Sequence, residues 1–355
     1  MSEGLGPVEA LERIAWLCER EQEPTWRVRA FRRAAAALAE QGPGRVAELA
    51  RQGRLTELAG VGDKTAAIVS AALAGEVPAE LARLEAREPP DAGQGAWLLE
   101  ALRGDCHSHS DWSDGGSPIE VMARAAARMG HEYLVLTDHS PRLTVAHGLS
   151  PERLRRQMEV VDRLGEELAP FRLLRGIEVD ILEDGSLDQE EDLLRSLDLV
   201  VASVHSKLRM ERDAMTRRMV AALHHPAVDV LGHCTGRRLA PAGHRGRPES
   251  EFDPGEVFSV AAELGKAIEV NCRPDRLDPP RRLLREAVAA KCFLTVDTDA
   301  HAPGQLGWQA WGCARVAECG LGPSSVGQVA NTWPVEELLA WTRGHREQGK
   351  VAGPG

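Results

Sequence analysis

His107 and His109 stand two residues apart at the end of a short apolar run. Side chains alternate faces along a strand, so both imidazoles leave the same side. Asp114 follows on a loop closed by Gly115-Gly116. Two neutral imidazoles and a carboxylate suit a divalent transition metal. A single such pair is as readily structural as ligating; repetition decides the matter. The same residue types recur after one apolar run after another: Thr137-Asp138-His139, Gly176-Ile177-Glu178-Val179-Asp180, Ser203-Val204-His205, Leu231-Gly232-His233 and Thr298-Asp299-Ala300-His301. Six of the 12 histidines occupy these exits, which neither random scatter nor ordinary core histidines would produce.

The elements that must position them are strands. Apolar runs fall at 102–109, 133–137, 172–179, 199–204, 228–231, 267–271 and 293–296, separated by helical stretches such as 118–129, 151–168 and 213–224. This alternation predicts an α/β protein, a seven-stranded β/α barrel with its chemistry on the loops after the strands. Only the sixth run ends without a strong ligand, at Asn271-Cys272. His131 precedes a strand and reads as structural, His147 lies in a loop after the second strand and is a weaker candidate for lining the pocket, and His224 and His225 end a helix. His244 and His345 read as surface residues. Cys106, Cys234, Cys272 and Cys292 flank strands and read as packing.

The chain has 355 residues, a formal charge of −11 and seven cysteines without a C-x-x-C pair. The charge argues against a protein that coats nucleic acid generally, but leaves room for a local site. The cysteines read as reduced thiols. No apolar run approaches the roughly 18 residues of a membrane span, and the first residues carry no signal-peptide pattern. The expectation is a cytoplasmic protein with no membrane partner.

Residues 1–85 read as a small all-helical domain. Helices are expected at 8–20 and from Pro24 to the Gly42-Pro43-Gly44 break, with short ones at 45–51 and 55–59. Leu58-Ala59-Gly60-Val61-Gly62-Asp63-Lys64 then enters a further helix. Two glycines in such a turn let the backbone approach a partner closely, and the amides opening the next helix favour a phosphate. Arg27, Arg29, Arg32, Arg33 and Lys64 accompany this helix-hairpin-helix. The first 90 residues nevertheless carry 12 Lys/Arg against 14 Asp/Glu, so phosphate contact is expected on one face and to be salt-sensitive. The segment resembles the amino-terminal domain of family X DNA polymerases through Trp26-Arg-Val-Arg-Ala-Phe-Arg-Arg-Ala34 and the Gly60–Lys64 hairpin. The resemblance implies a grip on DNA ends or gaps through Arg27, Gly60, Gly62 and Lys64. The lysine that some members use for lyase chemistry falls at Ile68, so no lyase is expected. Residues 86–102, with Pro89-Pro90 and Gly93, read as a linker, and no polymerase palm follows.

From 103 to 345 the ordered motifs resemble the polymerase-and-histidinol-phosphatase (PHP) family, closest to the PHP domain of bacterial family X polymerases. The motifs are His107-x-His109, Ser113-Asp114-Gly115, Thr137-Asp138-His139, Gly176-x-Glu178-x-Asp180, Ser203-x-His205, Gly232-His233 and Thr298-Asp299-x-His301. Residues 346–355 are expected as a flexible tail. The resemblance implies three divalent metals, manganese favoured and zinc or iron permitted by the donors. One would be held by His107, His109, Glu178 and Asp299. A second would share Glu178 and take His205 and His233, and a third Asp114, His139 and His301. Glu178, Asp299 and His301 would stand at the catalytic centre. A bridging carboxylate holds two metals roughly 3.5–4 Å apart, where water becomes a nucleophile toward phosphorus. Arg237 and Arg276, with Arg273 and Lys207, are candidates for holding phosphate oxygens, and Asp138 and Asp180 for orienting ligands. The implied activity is hydrolysis of phosphate esters at DNA ends, as 3′–5′ exonuclease, 3′-phosphatase or phosphodiesterase in DNA repair. Two alternatives are a small-molecule phosphatase of the histidinol-phosphatase type and a non-catalytic DNA-end-binding adaptor.

Overall fold

The structure, a computed structural model, describes residues 4–240 and 245–351, the last four as backbone only. His244 therefore lies outside the described residues. The chain divides into two compact units between Pro89 and Pro90.

The first unit is helical. Its helices are Pro7–Arg20, Thr25–Arg51, Asp63–Leu73 and Ala79–Glu85. The long second helix is broken where expected, because Gly42 adopts φ 74°. Apolar residues at helical spacing meet in one core built from Leu11, Ile14, Leu17, Phe31, Leu38, Val69 and Leu81, among others. Ile68 is buried in that core.

The second unit contains seven parallel strands: β1 (Gly104–Ser108), β2 (Tyr133–Leu136), β3 (Arg172–Asp180), β4 (Leu199–Ser203), β5 (Val230–Leu231), β6 (Ala267–Asn271) and β7 (Phe293–Asp297). They are hydrogen-bonded in sequence order. Parallel strands are covered on both faces, which is why each reads as a continuous apolar run rather than an alternation. β1 and β7 complete a nearly closed barrel. The His109 amide donates to the Ala300 carbonyl at 2.8 Å, and the Cys106 amide to Asp297 Oδ1 at 2.8 Å. Elsewhere on this seam, side chains replace the ladder. Gln309 donates to the carbonyls of Gly104 and Val296, and Asn331 Oδ1 accepts from the Val296 amide at 2.6 Å.

Two segments differ from the sequence expectation. The second half of the expected linker is folded: Ala96–Ala101 is helical and Leu98 is buried in the barrel's core. Gly95 is needed there because a Cβ would stand 2.2 Å from the Cys313 carbonyl oxygen. The expected tail begins as helix, since Val335–Val351 runs through its first six residues. This helix also corrects the reading of His345 as a surface residue. At the N-terminal end of the barrel, His345 Nδ1 lies 2.8 Å from Asp229 Oδ1, and Arg346 reaches the same carboxylate at 3.0 Å. Lys266 is buried beside them and donates to the Val228 carbonyl at 2.6 Å. All seven cysteines are buried free thiols. No helix among the described residues is long and apolar enough to cross a membrane.

Candidate metal centre

The opposite, C-terminal end of the barrel gathers the side chains singled out by sequence. β1 delivers His107, β3 Glu178, and the segments leaving β1, β2, β4, β5 and β7 deliver His109, His139, His205, His233, Asp299 and His301. Glu178 is the hub. Its Oε1 lies 2.7 Å from His233 Nε2 and 3.2 Å from His205 Nε2, and its Oε2 lies 2.8 Å from His139 Nδ1 and 3.3 Å from His107 Nε2. His109 Nε2 is 3.2 Å from Asp299 Oδ1. Asp114 reaches in from its loop, with Oδ1 3.4 Å from Nε2 of both His139 and His301. Asp299 adopts φ 51°, a conformation that costs a non-glycine residue about 1–3 kcal/mol. The cost is borne where the chain turns a carboxylate into the cluster.

Three sets of donor atoms fall close enough to share an ion: His109, Asp114, His139 and His301; His107, His109 and Asp299; and His139, Glu178 and His205. The partition inferred by resemblance is thus blurred at two positions, with His109 and His139 each standing in two sets.

The donor set fits divalent ions. Nε2 of His107, His109 and His205 and Oε2 of Glu178 are buried with no hydrogen-bond partner. Leaving such groups unsatisfied costs about 1–3 kcal/mol each, and imidazole nitrogens with carboxylate oxygens are the donors that suit manganese, zinc or iron.

Electrostatics separate the members. Burial pushes the Glu178 carboxyl up, but His205, His107, His139 and His233 outweigh it and hold it well below the ordinary range. Burial likewise opposes ionisation of Asp299, which His109, Arg273, His107 and Arg276 hold well below that range. Burial lowers His109 to about 3, with His301 and His139 adding like charge. His233 also falls to about 3, through burial and then Arg276. The lowered pair is held neutral, the form that ligates. Burial lowers His139 too, but Glu178 and Asp114 reverse this and carry it to about 10.

The surrounding residues hold the rings. Asp180 Oδ1 meets His205 Nδ1 at 2.7 Å, the orienting contact expected of it. Asp138 holds a loop instead: it accepts from the Ser110 amide at 2.8 Å and from the Ser110 and Ser113 hydroxyls, fixing the turn before Asp114. Glu269 was not singled out by sequence. Its Oε1 lies 2.6 Å from His107 Nδ1, and its Oε2 accepts from the His233 amide at 2.5 Å. Asn271, at the supposedly silent sixth exit, donates to Asp299 Oδ2 at 3.2 Å. A glutamate inside the fully buried Ala-Ile-Glu-Val-Asn strand was the available signal.

The proposed phosphate contacts divide. Arg276 is buried with Nε 3.1 Å from Asp299 Oδ2, so it reaches the centre. Arg273 Nη1 lies 3.1 Å from His301 Nδ1. Arg237 is turned away: its guanidinium donates to the Arg276 and Leu277 carbonyls and lies 3.5 Å from Glu249. His147 and Lys207 are exposed in loops and take no part in the cluster.

In the first unit, Gly60 adopts φ 92° and Gly62 caps the helix Asp63–Leu73, with its amide donating to the Thr65 hydroxyl at 3.0 Å. Lys64 is exposed in the first turn of that helix, where amides lack intrahelical acceptors. Arg27 is placed otherwise. Its guanidinium lies between Glu23, at 3.2 Å, and Glu80, which neutralises it. Arg29 and Arg33 are exposed.

Comparisons with known proteins follow the same division. The helix-hairpin-helix domain profile matches residues 6–77 and the PHP domain profile residues 105–271. The DNA polymerase/3′-5′ exonuclease PolX of Bacillus subtilis is 39% identical over 203 residues, which are 57% of this chain and 35% of that protein. The chain therefore spans about a third of the length of that relative. A probable phosphatase of Acetivibrio thermocellus is 31% identical over 213 residues, 57% of this chain and 81% of its own length. Among solved structures, a histidinol phosphate phosphatase from Lactococcus lactis matches 62% of this chain and 95% of its own, at 17% identity and a TM-score of 0.44.

Proposed function

The chain belongs to the PHP family, and from that premise we propose that it is a metal-dependent phosphoesterase that hydrolyses phosphate esters at DNA ends. The observation that carries the catalytic half is the set of buried, unpartnered imidazole and carboxylate atoms converging on Glu178. The DNA half rests on the helix-hairpin-helix domain carried by the same chain and on similarity to a protein named as a polymerase and 3′-5′ exonuclease.

Nine residues are proposed as ligands of up to three ions: His107, His109, Asp114, His139, Glu178, His205, His233, Asp299 and His301. Bound divalent ions supply a Lewis acid that activates water and offsets charge on phosphoryl oxygens. The chain does the rest. Glu269 and Asp180 hold the Nδ1 side of His107 and His205 and so turn Nε2 inward. Arg276 and Arg273 place positive charge beside Asp299 and His301, where phosphate oxygens gather. The exposed Lys64 and the hairpin glycines Gly60 and Gly62 offer a charge-and-amide grip to a DNA phosphate.

The test is hydrolysis by the purified chain with Mn²⁺, on gapped DNA bearing a 3′-phosphate or recessed 3′ end and, separately, on histidinol phosphate. DNA processing that requires metal, and that His107→Ala lowers by at least about 10²-fold, is the expected result. Turnover of histidinol phosphate alone would replace this reading with the small-molecule phosphatase. DNA binding without turnover under any metal would leave a non-catalytic adaptor.

A further inference from the structure

Among the proposed ligands, Asp114 is the one the barrel secures least. It stands on the loop beyond Ser108, where β1 ends. Its side chain is 36% exposed, against 16% or less for the other proposed ligands. It also belongs to a single donor set, with His109, His139 and His301. The two histidines that this set shares with the others are fixed by the barrel's own backbone. The His109 amide is bonded to the Ala300 carbonyl at 2.8 Å, and His139 pairs with Glu178 as an isolated bridge. Whatever holds the Asp114 loop therefore governs this set and leaves the others to the strands.

A loop that had to be ordered at the moment of metal binding would cost affinity, and this one is ordered beforehand. The Ser110 carbonyl accepts from the amides of Ser113 at 3.2 Å and Gly115 at 2.9 Å, and the Gly116 amide donates to the His301 carbonyl at 2.6 Å. Gly115 is required because a Cβ would stand 2.6 Å from the Ser110 carbonyl oxygen. These bonds shape the turn, and the helix Pro151–Glu167 fixes it in place. Arg153 and Gln157 lie one turn apart on the same face of that helix. Gln157 is buried, and its amide donates at 2.6 Å to Asp138 Oδ2, the carboxylate that receives Ser110 and Ser113. The Arg153 guanidinium spans two loops. Nη2 donates to the Trp112 carbonyl beside Asp114, and Nη1 to the carbonyls of His147 at 2.6 Å and Gly148 at 3.2 Å. The second loop closes on a ligand, since the Leu149 amide donates to the His139 carbonyl at 2.7 Å. Both side chains thus reach the donor set through other groups.

We propose that Arg153 and Gln157 are positioning residues for one metal ion: by bracing the Asp114 loop against the helix Pro151–Glu167, they set the affinity of the His109–Asp114–His139–His301 set without setting that of the ions gathered on Glu178 and Asp299. The inference rests on the metal-dependent reading of the site and deepens it, giving one ion a control separate from the rest.

The test titrates the full chain with Mn²⁺ against a chelating dye and resolves the affinity of each bound ion. Asp114→Ala identifies the ion of this set as the one that is lost. Arg153→Met combined with Gln157→Leu is expected to raise the dissociation constant of that same ion about 10–100-fold and to leave the others at their wild-type values. Arg153→Lys keeps a donor for one carbonyl but cannot span both loops, so its effect falls between wild type and Arg153→Met. Should the double variant fail to fold, Arg153→Met alone carries the test, with an expected loss of about 10-fold in the same ion. The denaturant midpoint is measured alongside, because a merely structural role would lower it without singling out one ion. Wild-type affinities for every ion, whatever the midpoint, overturn the brace, and so does an equal weakening of all of them. An Asp114→Ala chain that retains every ion removes Asp114 from the site and the brace with it, while metal-dependent hydrolysis by the remaining ligands stands. A wild-type chain that binds no divalent ion brings down the metal reading itself.

Discussion

The two ends of the barrel hold polar clusters that look alike by burial and differ in completeness. At the C-terminal end, His107 and His109 are fully buried, and their Nε2 atoms have no hydrogen-bond partner. At the N-terminal end, His345 is also buried, but both ring nitrogens face oxygens: Asp229 at 2.8 Å and the Gly265 carbonyl at 3.1 Å. Asp229 in turn accepts from the Val200 amide at 2.9 Å and from Arg346. One cluster closes on itself and ties the final helix to the barrel. The other gathers imidazole nitrogens and carboxylate oxygens close enough to share an ion. Burial of a histidine therefore says little about function, whereas the fate of its second nitrogen says a great deal.

The largest expected effect tests the closed end. Asp229→Ala leaves His345, Arg346 and Lys266 without their anion in a buried place. Breaking a buried charge cluster in this way costs about 3–5 kcal/mol. The denaturant midpoint should fall accordingly with an unchanged m value, while metal content per folded molecule stays at the wild-type level. A midpoint within experimental error of wild type would break the comparison, because the N-terminal cluster would then not be structural.

The open end is tested through Glu269, which touches two members of the site and is itself no proposed ligand. Burial pushes its carboxyl up to about 7 despite His107. Glu269→Gln preserves the shape and removes the charge behind His107. Loss of such a supporting carboxylate lowers metal affinity about 10–100-fold, measurable by competition with a chelating dye. Stability should move by less than for Asp229→Ala. Wild-type metal affinity combined with a large loss of stability would place Glu269 with the structural cluster instead.

The contrast also explains what could be read from sequence. The strands were legible because two-sided burial writes each as an apolar run; β2, β4 and β6 lie within a residue of expectation. The candidate ligands were legible because their residue types recur at strand exits, where a barrel places its chemistry. Glu269 was hidden inside its strand, two residues short of an exit. His345 and Arg27 were misjudged for a common reason: their partners are distant in sequence. Asp229 stands 116 residues from His345, and Glu80 stands 53 from Arg27. A charge run shows its own sign but not the carboxylate that the fold will bring to it. The folded half of the expected linker has the same origin, since Gly95 and Leu98 acquire their meaning only against Cys313 and the barrel core.

The smallest effect concerns Lys266, the member of the closed cluster whose charge the cluster serves least. Its Nζ donates to the Val228 carbonyl, and burial pushes its pKa from 10.5 down to about 8, with Asp229 opposing and Arg346 assisting. The unfolded chain thus binds this proton more tightly than the folded one. Between pH 8 and 10.5 the unfolded state carries the extra proton, so this lysine makes stability rise with pH across that window. Below pH 8 both states are protonated, and the folded state bears the whole penalty, roughly 3 kcal/mol at most. Lys266→Met removes the buried charge and forfeits a hydrogen bond worth about 1 kcal/mol or somewhat more. The expected net gain at pH 7 is therefore about 1–2 kcal/mol, shrinking to nothing or reversing above pH 10.5. Denaturant titrations of both proteins at pH 7 and 10 measure it as a difference, in which the other titrating groups cancel. A variant less stable than wild type at pH 7 would show that Lys266 helps hold the cluster together. The closed end would then be a network that requires Lys266, rather than an Asp229–His345–Arg346 lock with a tolerated neighbour.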